Sequence, residues 1–198
     1  MTAETKSNHD RVLRSARKLF FEKGFAATST VDLAREAGTS KATIYAGFGS
    51  MEGLLGAVIA AEVDRFTTAP PEEIVDFASF RKALVGFGTN LLAFLNEPET
   101  IRFSRMMHEA ARRRPDAAAL YLEAAYDGTA RRIEEIIAAG LPHCAPGPAV
   151  ALPDRAERYM AMLKGHRYEM AVLGAIERPY LHPQTLSTAS FDAWFAEA

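Results

Sequence analysis

Between Gly38 and Gly53 the chain reads G-T-S-K-A-T-I-Y-A-G-F-G-S-M-E-G, so that glycine breaks and two serines fence off barely two turns of helix. A helix that short is marginal on its own, because nucleation is costly and few hydrogen bonds follow it. A neighbouring element must support it. Just upstream, Ser29 and Asp32 form an S-x-x-D capping signal that opens "TVDLAREA", and this run stops at Gly38. Ser40 is the natural N-cap of the next helix, "KATIYAGF". Two helices joined by a three- to four-residue turn make a helix-turn-helix, whose second member can be short because the first holds it. Leu33 and Ile44 then point inward, with Ala34 and Ala37 allowing close crossing, and Ser40, Lys41, Ala42, Thr43 and Tyr45 point outward. The same periodicity also fits a helical hairpin within an ordinary bundle.

The rest of the chain is helical in pattern. From Asp10, Val12, Ala16, Leu19 and Phe20 recur at one-face spacing until Gly24, with Phe25 placed to fold back on the helix end. Ser50 opens a helix running toward Pro70 and Pro71, which mark a junction between regions. Further helices are predicted over 78–96, 97–111, 115–139, 153–177 and 184–196. No segment alternates like a strand, so an all-α fold is expected. With 198 residues, 48% of them hydrophobic, the chain can bury a real core. Its apolar stretches are broken by charge well before about 18 residues, and "MTAETKSNHDR" lacks the apolar run of a signal peptide. No membrane partner is expected, and a cytoplasmic location is. The single cysteine, Cys144, excludes an internal disulfide, and neither a metal nor a cofactor is expected. The net charge of −2 hides an asymmetry, since residues 1–56 carry eight Lys/Arg against six Asp/Glu. That sign suits an N-terminal segment that approaches phosphates.

The stretch "GFAATSTVDLAREAGTSKATIYAGFGSMEGLL" resembles the DNA-binding signature of TetR-type (tetracycline-repressor-like) transcriptional regulators, over roughly residues 10–60. The resemblance implies an N-terminal three-helix helix-turn-helix domain, residues 1–56 with the fourth helix as connector from about 50. A helical ligand-sensing and dimerisation domain, residues 57–198, follows it. It implies that Thr28, Lys41 and Tyr45 occupy positions that touch phosphate or base in a double-stranded, pseudo-palindromic operator, with Thr39, Ser40, Ala42 and Thr43 alongside. Phe48 matches the aromatic that locks the third helix onto the core. Two residues depart from the pattern. Gly47 stands where a polar residue often precedes that Phe, and Met51 replaces a lysine that commonly meets the DNA backbone.

By the same resemblance the remainder should hold a cavity for a partly apolar small-molecule effector. Phe87, Leu91, Phe94, Tyr121 and Tyr126 supply aromatic and aliphatic surface, and Met106, Met107 and Met162 an adaptable lining. His166 is the polar group placed to orient the ligand, with His108, Glu109 and Arg167 as further candidates. The "RRRP" run at Arg112–Pro115 reads as a solvated helix C-terminus. In the helix predicted over 153–177, Ala156, Met160, Leu163, Met170 and Gly174 follow roughly heptad spacing while Tyr159, Met162 and Leu173 fall on an adjoining face. A helix apolar on two flanks is buried on both. A two-fold homodimer is therefore expected through Met160, Leu163, Met170, Phe191, Trp194 and Phe195 of the last two helices.

Catalysis finds no support. The chain has no Gly-rich phosphate loop, G-x-S-x-G, H-E-x-x-H or C-x-x-C, and its five histidines are scattered. The expected function is a ligand-responsive repressor that releases its operator when the effector binds. The alternative is a helical adaptor or dimerisation protein with weakened DNA binding, which Gly47 and Met51 would favour.

Overall fold

The computed structural model describes residues 3–67, 73–111, 115–144 and 152–197. Pro70, Pro71 and the Arg112–Arg114 run lie outside the described residues. Among those described, every regular element is helical: α1 (Ala3–Lys23), α2 (Thr30–Glu36), α3 (Lys41–Phe48), α4 (Met51–Thr67), α5 (Phe77–Leu95), α6 (Pro98–Ala111), α7 (Pro115–Tyr121), α8 (Gly128–Gly140), α9 (Leu152–Val172) and α10 (Pro183–Glu197). No single helix among them is long and apolar enough to cross a membrane. The bent pair α3 and α4 is apolar enough only when joined, and its apolar residues Ile44, Leu54, Leu55, Val58 and Ile59 are buried in a protein core.

Three boundaries differ from those the periodicity predicts. α1 begins at Ala3 rather than Asp10. The single helix expected over 115–139 is interrupted by a π-helical stretch, Leu122–Asp127, for which the sequence carries no local signal. α9 ends at Val172 and is broken inside at Gly165 (φ 52°, ψ −167°), a backbone conformation open in practice only to glycine.

By packing, the chain divides into two compact units, Met1–Glu62 with Arg102–Ala125 and Val63–Ile101 with Tyr126–Ala198. The first therefore takes in residues 102–125, which a linear division at residue 56 assigns to the C-terminal region. The reason is aromatic and local to the end of α1. Phe21 stacks on Phe103 of α6 with centroids 4.3 Å apart, and Arg102 Nε donates to the Phe21 carbonyl at 3.0 Å. Val12, Ala16, Phe20, Leu33, Ile44, Leu54 and Leu55 complete this core. Arg17 closes one side of it, meeting both carboxylate oxygens of the buried Glu62 at 2.6 and 3.2 Å.

The second unit is built around α5. Phe80, Leu84 and Leu92 are fully buried against Ile133 and Ile137 of α8, Tyr159 and Leu163 of α9, and Phe191 and Trp194 of α10. At Gly88 the helices approach closely. The Tyr159 hydroxyl donates to the Leu84 carbonyl at 3.0 Å, and Ser187 Oγ donates to the Val85 carbonyl at 2.8 Å. Both α5 carbonyls are reachable because residue 88, one turn on, has no side chain to cover them. Burial pushes the Tyr159 phenol up to about 12, so it stays a donor.

This core corrects the expected interface. Leu163, Phe191 and Trp194 are 0%, 1% and 2% exposed within the single chain, because α9 and α10 close over α5 and consume these side chains. Met160, Met170 and Phe195 are only partly buried, while Leu173, just past the end of α9, is 83% exposed.

Candidate functional site

The helix-turn-helix is fixed by backbone satisfaction at each end of two short helices. Ser29 caps α2 by accepting from the Asp32 N–H at 3.1 Å, and Asp32 returns the bond by accepting from the Ser29 N–H at 3.2 Å. The Ser29 hydroxyl and Lys23 hold the Asp32 carboxyl far below the usual carboxylate range. At the other end, the Thr39 N–H reaches the Ala34 carbonyl and the Gly38 N–H the Arg35 carbonyl, with Gly38 at φ 57°. This pair of bonds is the Schellman arrangement and turns the chain sharply. Ser40 then caps α3, accepting from the Thr43 N–H at 3.1 Å. α3 ends at Gly49, whose N–H bonds to the Tyr45 carbonyl at 2.8 Å.

Inside that frame α3 is one-sided. Ile44 is fully buried with Leu33, and Ser40, Lys41, Ala42, Thr43 and Tyr45 are exposed, as their spacing predicts, with Thr39 half-buried in the turn. Tyr45 is 46% exposed, and its hydroxyl lies 3.1 Å from the Thr30 hydroxyl at the start of α2. Thr30 escaped the sequence reading, since its exposure depends on how α2 and α3 cross. Thr28 sits differently from its neighbours. It is buried, and its hydroxyl donates to the Gly24 carbonyl at 2.8 Å, which gives it a role in shaping the loop between α1 and α2. Phe48 is half-buried against the core and stacks on His9 with centroids 4.4 Å apart. Gly47 is exposed with open space beside it, and Met51 is half-buried and packed against the core.

The residues expected to line a cavity fall in both units. Met106, Met107 and Tyr121 belong to the first, where Met107 is core, Met106 packs against Gly24, and the Tyr121 hydroxyl lies 3.1 Å from Ser104 Oγ. Phe87, Leu91, Phe94, Tyr126, Met162 and His166 belong to the second. Phe87 and Leu91 are core, and Phe94, Tyr126 and Met162 are partly buried. His166 is exposed, as are His108, Glu109 and Arg167. The break at Gly165 accounts for His166: the partly buried cation at this point of α9 is Lys164, which periodicity marks as an ordinary surface lysine.

Comparison with known proteins agrees with this geometry. The family described as bacterial regulatory proteins, tetR family, matches residues 12–58, and the C-terminal domain of AefR-like transcriptional repressors matches residues 82–183, more than half of the chain. The HTH-type transcriptional repressor ComR of Escherichia coli (strain K12) is 42% identical over 59 residues, covering 30% of this chain and 28% of ComR. The match thus spans less than a third of that relative. The solved structure of the flavonoid-responsive regulator FrrA is 26% identical and covers 97% of each chain, with a TM-score of 0.74. A TetR transcriptional regulator from Agrobacterium tumefaciens, 22% identical over 100% of this chain and 95% of its own, shares the fold with a TM-score of 0.78. A capped helix-turn-helix with one apolar and one exposed face, continued by a helical region that matches a repressor C-terminal domain, identifies the chain as a member of the tetR family of bacterial regulatory proteins, a transcriptional regulator with a DNA-binding domain and not an enzyme.

Proposed function

We propose that the protein is a homodimeric, ligand-responsive repressor that reads a pseudo-palindromic operator through α3 and releases it when a partly apolar small molecule binds the region beyond the helix-turn-helix. The observation that carries this reading is the one-sidedness of α3, with Ile44 buried and Lys41, Thr43 and Tyr45 turned to solvent at its N-terminal half. That end also presents backbone N–H groups suited to phosphate oxygens. Lys41 and Tyr45 supply the phosphate and base contacts, with Thr39, Ser40, Ala42 and Thr43 beside them. Residues 1–56 read DNA and α4 connects them to residues 57–198, which sense and dimerise. The flavonoid-responsive relative, similar along nearly its whole length, supports a small-molecule effector, and ComR supports repression. Release requires a coupling of about 1–3 kcal/mol, a five- to 150-fold change in operator affinity.

The dimer in this reading forms on the outer faces of α9 and α10, through Met160, Met170 and Phe195 with Leu173 beside them. The experiment that tests the DNA reading is Tyr45→Phe. Loss of one hydroxyl contact of about 1 kcal/mol weakens binding roughly fivefold per contact, while the melting temperature stays within about a degree of wild type because the hydroxyl is exposed. Gel shift and thermal denaturation read the two effects separately. A large fall in melting temperature with unchanged DNA affinity would refute the assignment.

A further inference from the structure

Three features that periodicity does not require meet around one lysine of the second unit. α9 is broken at Gly165, immediately after Lys164. Tyr126 stands in the π-helical stretch Leu122–Asp127. Tyr180 comes from the segment between α9 and α10, and its hydroxyl donates to the Lys164 carbonyl at 2.8 Å. π-Helical turns and glycine-only conformations cost free energy and concentrate at functional sites.

The lysine has aromatic company. Its ammonium donates to the Tyr126 hydroxyl at 3.0 Å and lies 4.3 Å from the centroid of the Tyr126 ring and 5.0 Å from that of Tyr168. Among the described residues no carboxylate stands within ion-pairing distance of it, and Glu169 acts on it only at longer range. An ammonium has three N–H donors, and one is committed to Tyr126. Burial pulls its pKa down and outweighs the opposing charge of Glu169. The neighbouring Gly165 is exposed with open space at the position of a side chain, so the cluster can be approached from solvent.

We propose that Lys164, walled by Tyr126 and Tyr168, is the recognition point for a small organic monoanion, an aromatic molecule carrying one acidic oxygen. The ligand's acidic oxygen accepts from the ammonium and supplies a negative charge in direct contact with it, while its ring lies against the partly exposed Tyr126. A hydrophobic cleft would take neutral and acidic ligands alike; a caged cation selects the acid. The proposal rests on the effector-responsive reading for its biological role, but binding itself does not depend on that reading.

The test uses three probes of one shape: 2-naphthoate, 2-naphthol and methyl 2-naphthoate, titrated against the full-length protein by calorimetry and thermal shift. Naphthoate binds wild type and raises its melting temperature, while the uncharged naphthol and ester bind at least tenfold more weakly. Lys164→Met, which keeps the aliphatic stem, loses at least tenfold affinity for the acid while melting, without ligand, no lower than wild type. Three results overturn the proposal: naphthoate does not bind, naphthol or the ester binds as well as naphthoate, or Lys164→Met retains the affinity. A sharp fall in the unliganded melting temperature of Lys164→Met also overturns it, since the ammonium would then be a structural brace. If an acid binds through Lys164 but operator affinity does not move, the site stands and its role as the effector site falls.

Discussion

Gly88→Ala should destabilise the protein by about 3 kcal/mol and lower its melting temperature by roughly 6–12 °C, although alanine is the better helix former. A Cβ at residue 88 would collide with Ser187 Oγ and stand 2.9 Å from the Tyr159 hydroxyl and 3.0 Å from Leu163 Cδ2. The added methyl must displace two hydroxyls that bond the Leu84 and Val85 carbonyls. Two buried hydrogen bonds at about 1 kcal/mol each, with overpacking of about 1–3 kcal/mol, outweigh the gain in helix propensity of about 1 kcal/mol. Gly86, on the same helix with open space beside it, is the control: Gly86→Ala leaves stability unchanged or raises it by up to about 1 kcal/mol. Thermal denaturation of the two variants separates crowding from propensity. Equal stability of Gly88→Ala and wild type would mean that the hydroxyls do not reach the α5 carbonyls.

Leu163→Glu should abolish cooperative folding of the second unit. The leucine is fully buried between Tyr159 and the residues of α5. Removing it costs about 2–5 kcal/mol, and the carboxylate that replaces it must be desolvated or protonated in an apolar core. Proteins of this kind have only about 5–15 kcal/mol to lose. Leu173→Glu is the contrasting substitution, since that side chain is 83% exposed and the folded chain loses almost nothing. It should melt like wild type and sediment as a monomer. A folded, monomeric Leu163→Glu would place that residue in an interface instead. A dimeric Leu173→Glu would move the interface off the end of α9.

The parts of this fold that could be read from the sequence are those governed by neighbours a few residues away. Ser29, Gly38, Ser40 and Gly49 act through bonds to residues within one turn or so, and the exposed face of α3 follows from where Ile44 must point. Membership of the units could not be read, because an apolar face on α6 does not say which partner it meets. Phe103 went to Phe21, a pairing 82 residues apart in sequence that no local pattern encodes. Leu163 and Trp194 were misassigned for the same reason: an apolar residue on a two-sided helix serves core and interface equally well until the neighbouring helices are placed. Lys164 was missed because a glycine inside a helical pattern reads as a tolerated weak point, whereas Gly165 breaks the helix there.

The most direct test of α3 as the DNA-reading helix is the salt dependence of binding to the duplex that flanks the protein's own gene, measured by fluorescence anisotropy for wild type and Lys41→Ala. The account predicts that wild type prefers this duplex to a scrambled one. It also predicts that Lys41→Ala flattens the slope of log K against log salt by about 0.9 per lost phosphate contact, roughly 1.8 units for the dimer. Equal affinity for the two duplexes, with a slope that Lys41→Ala leaves unchanged, would contradict it and favour a helical adaptor that does not read DNA.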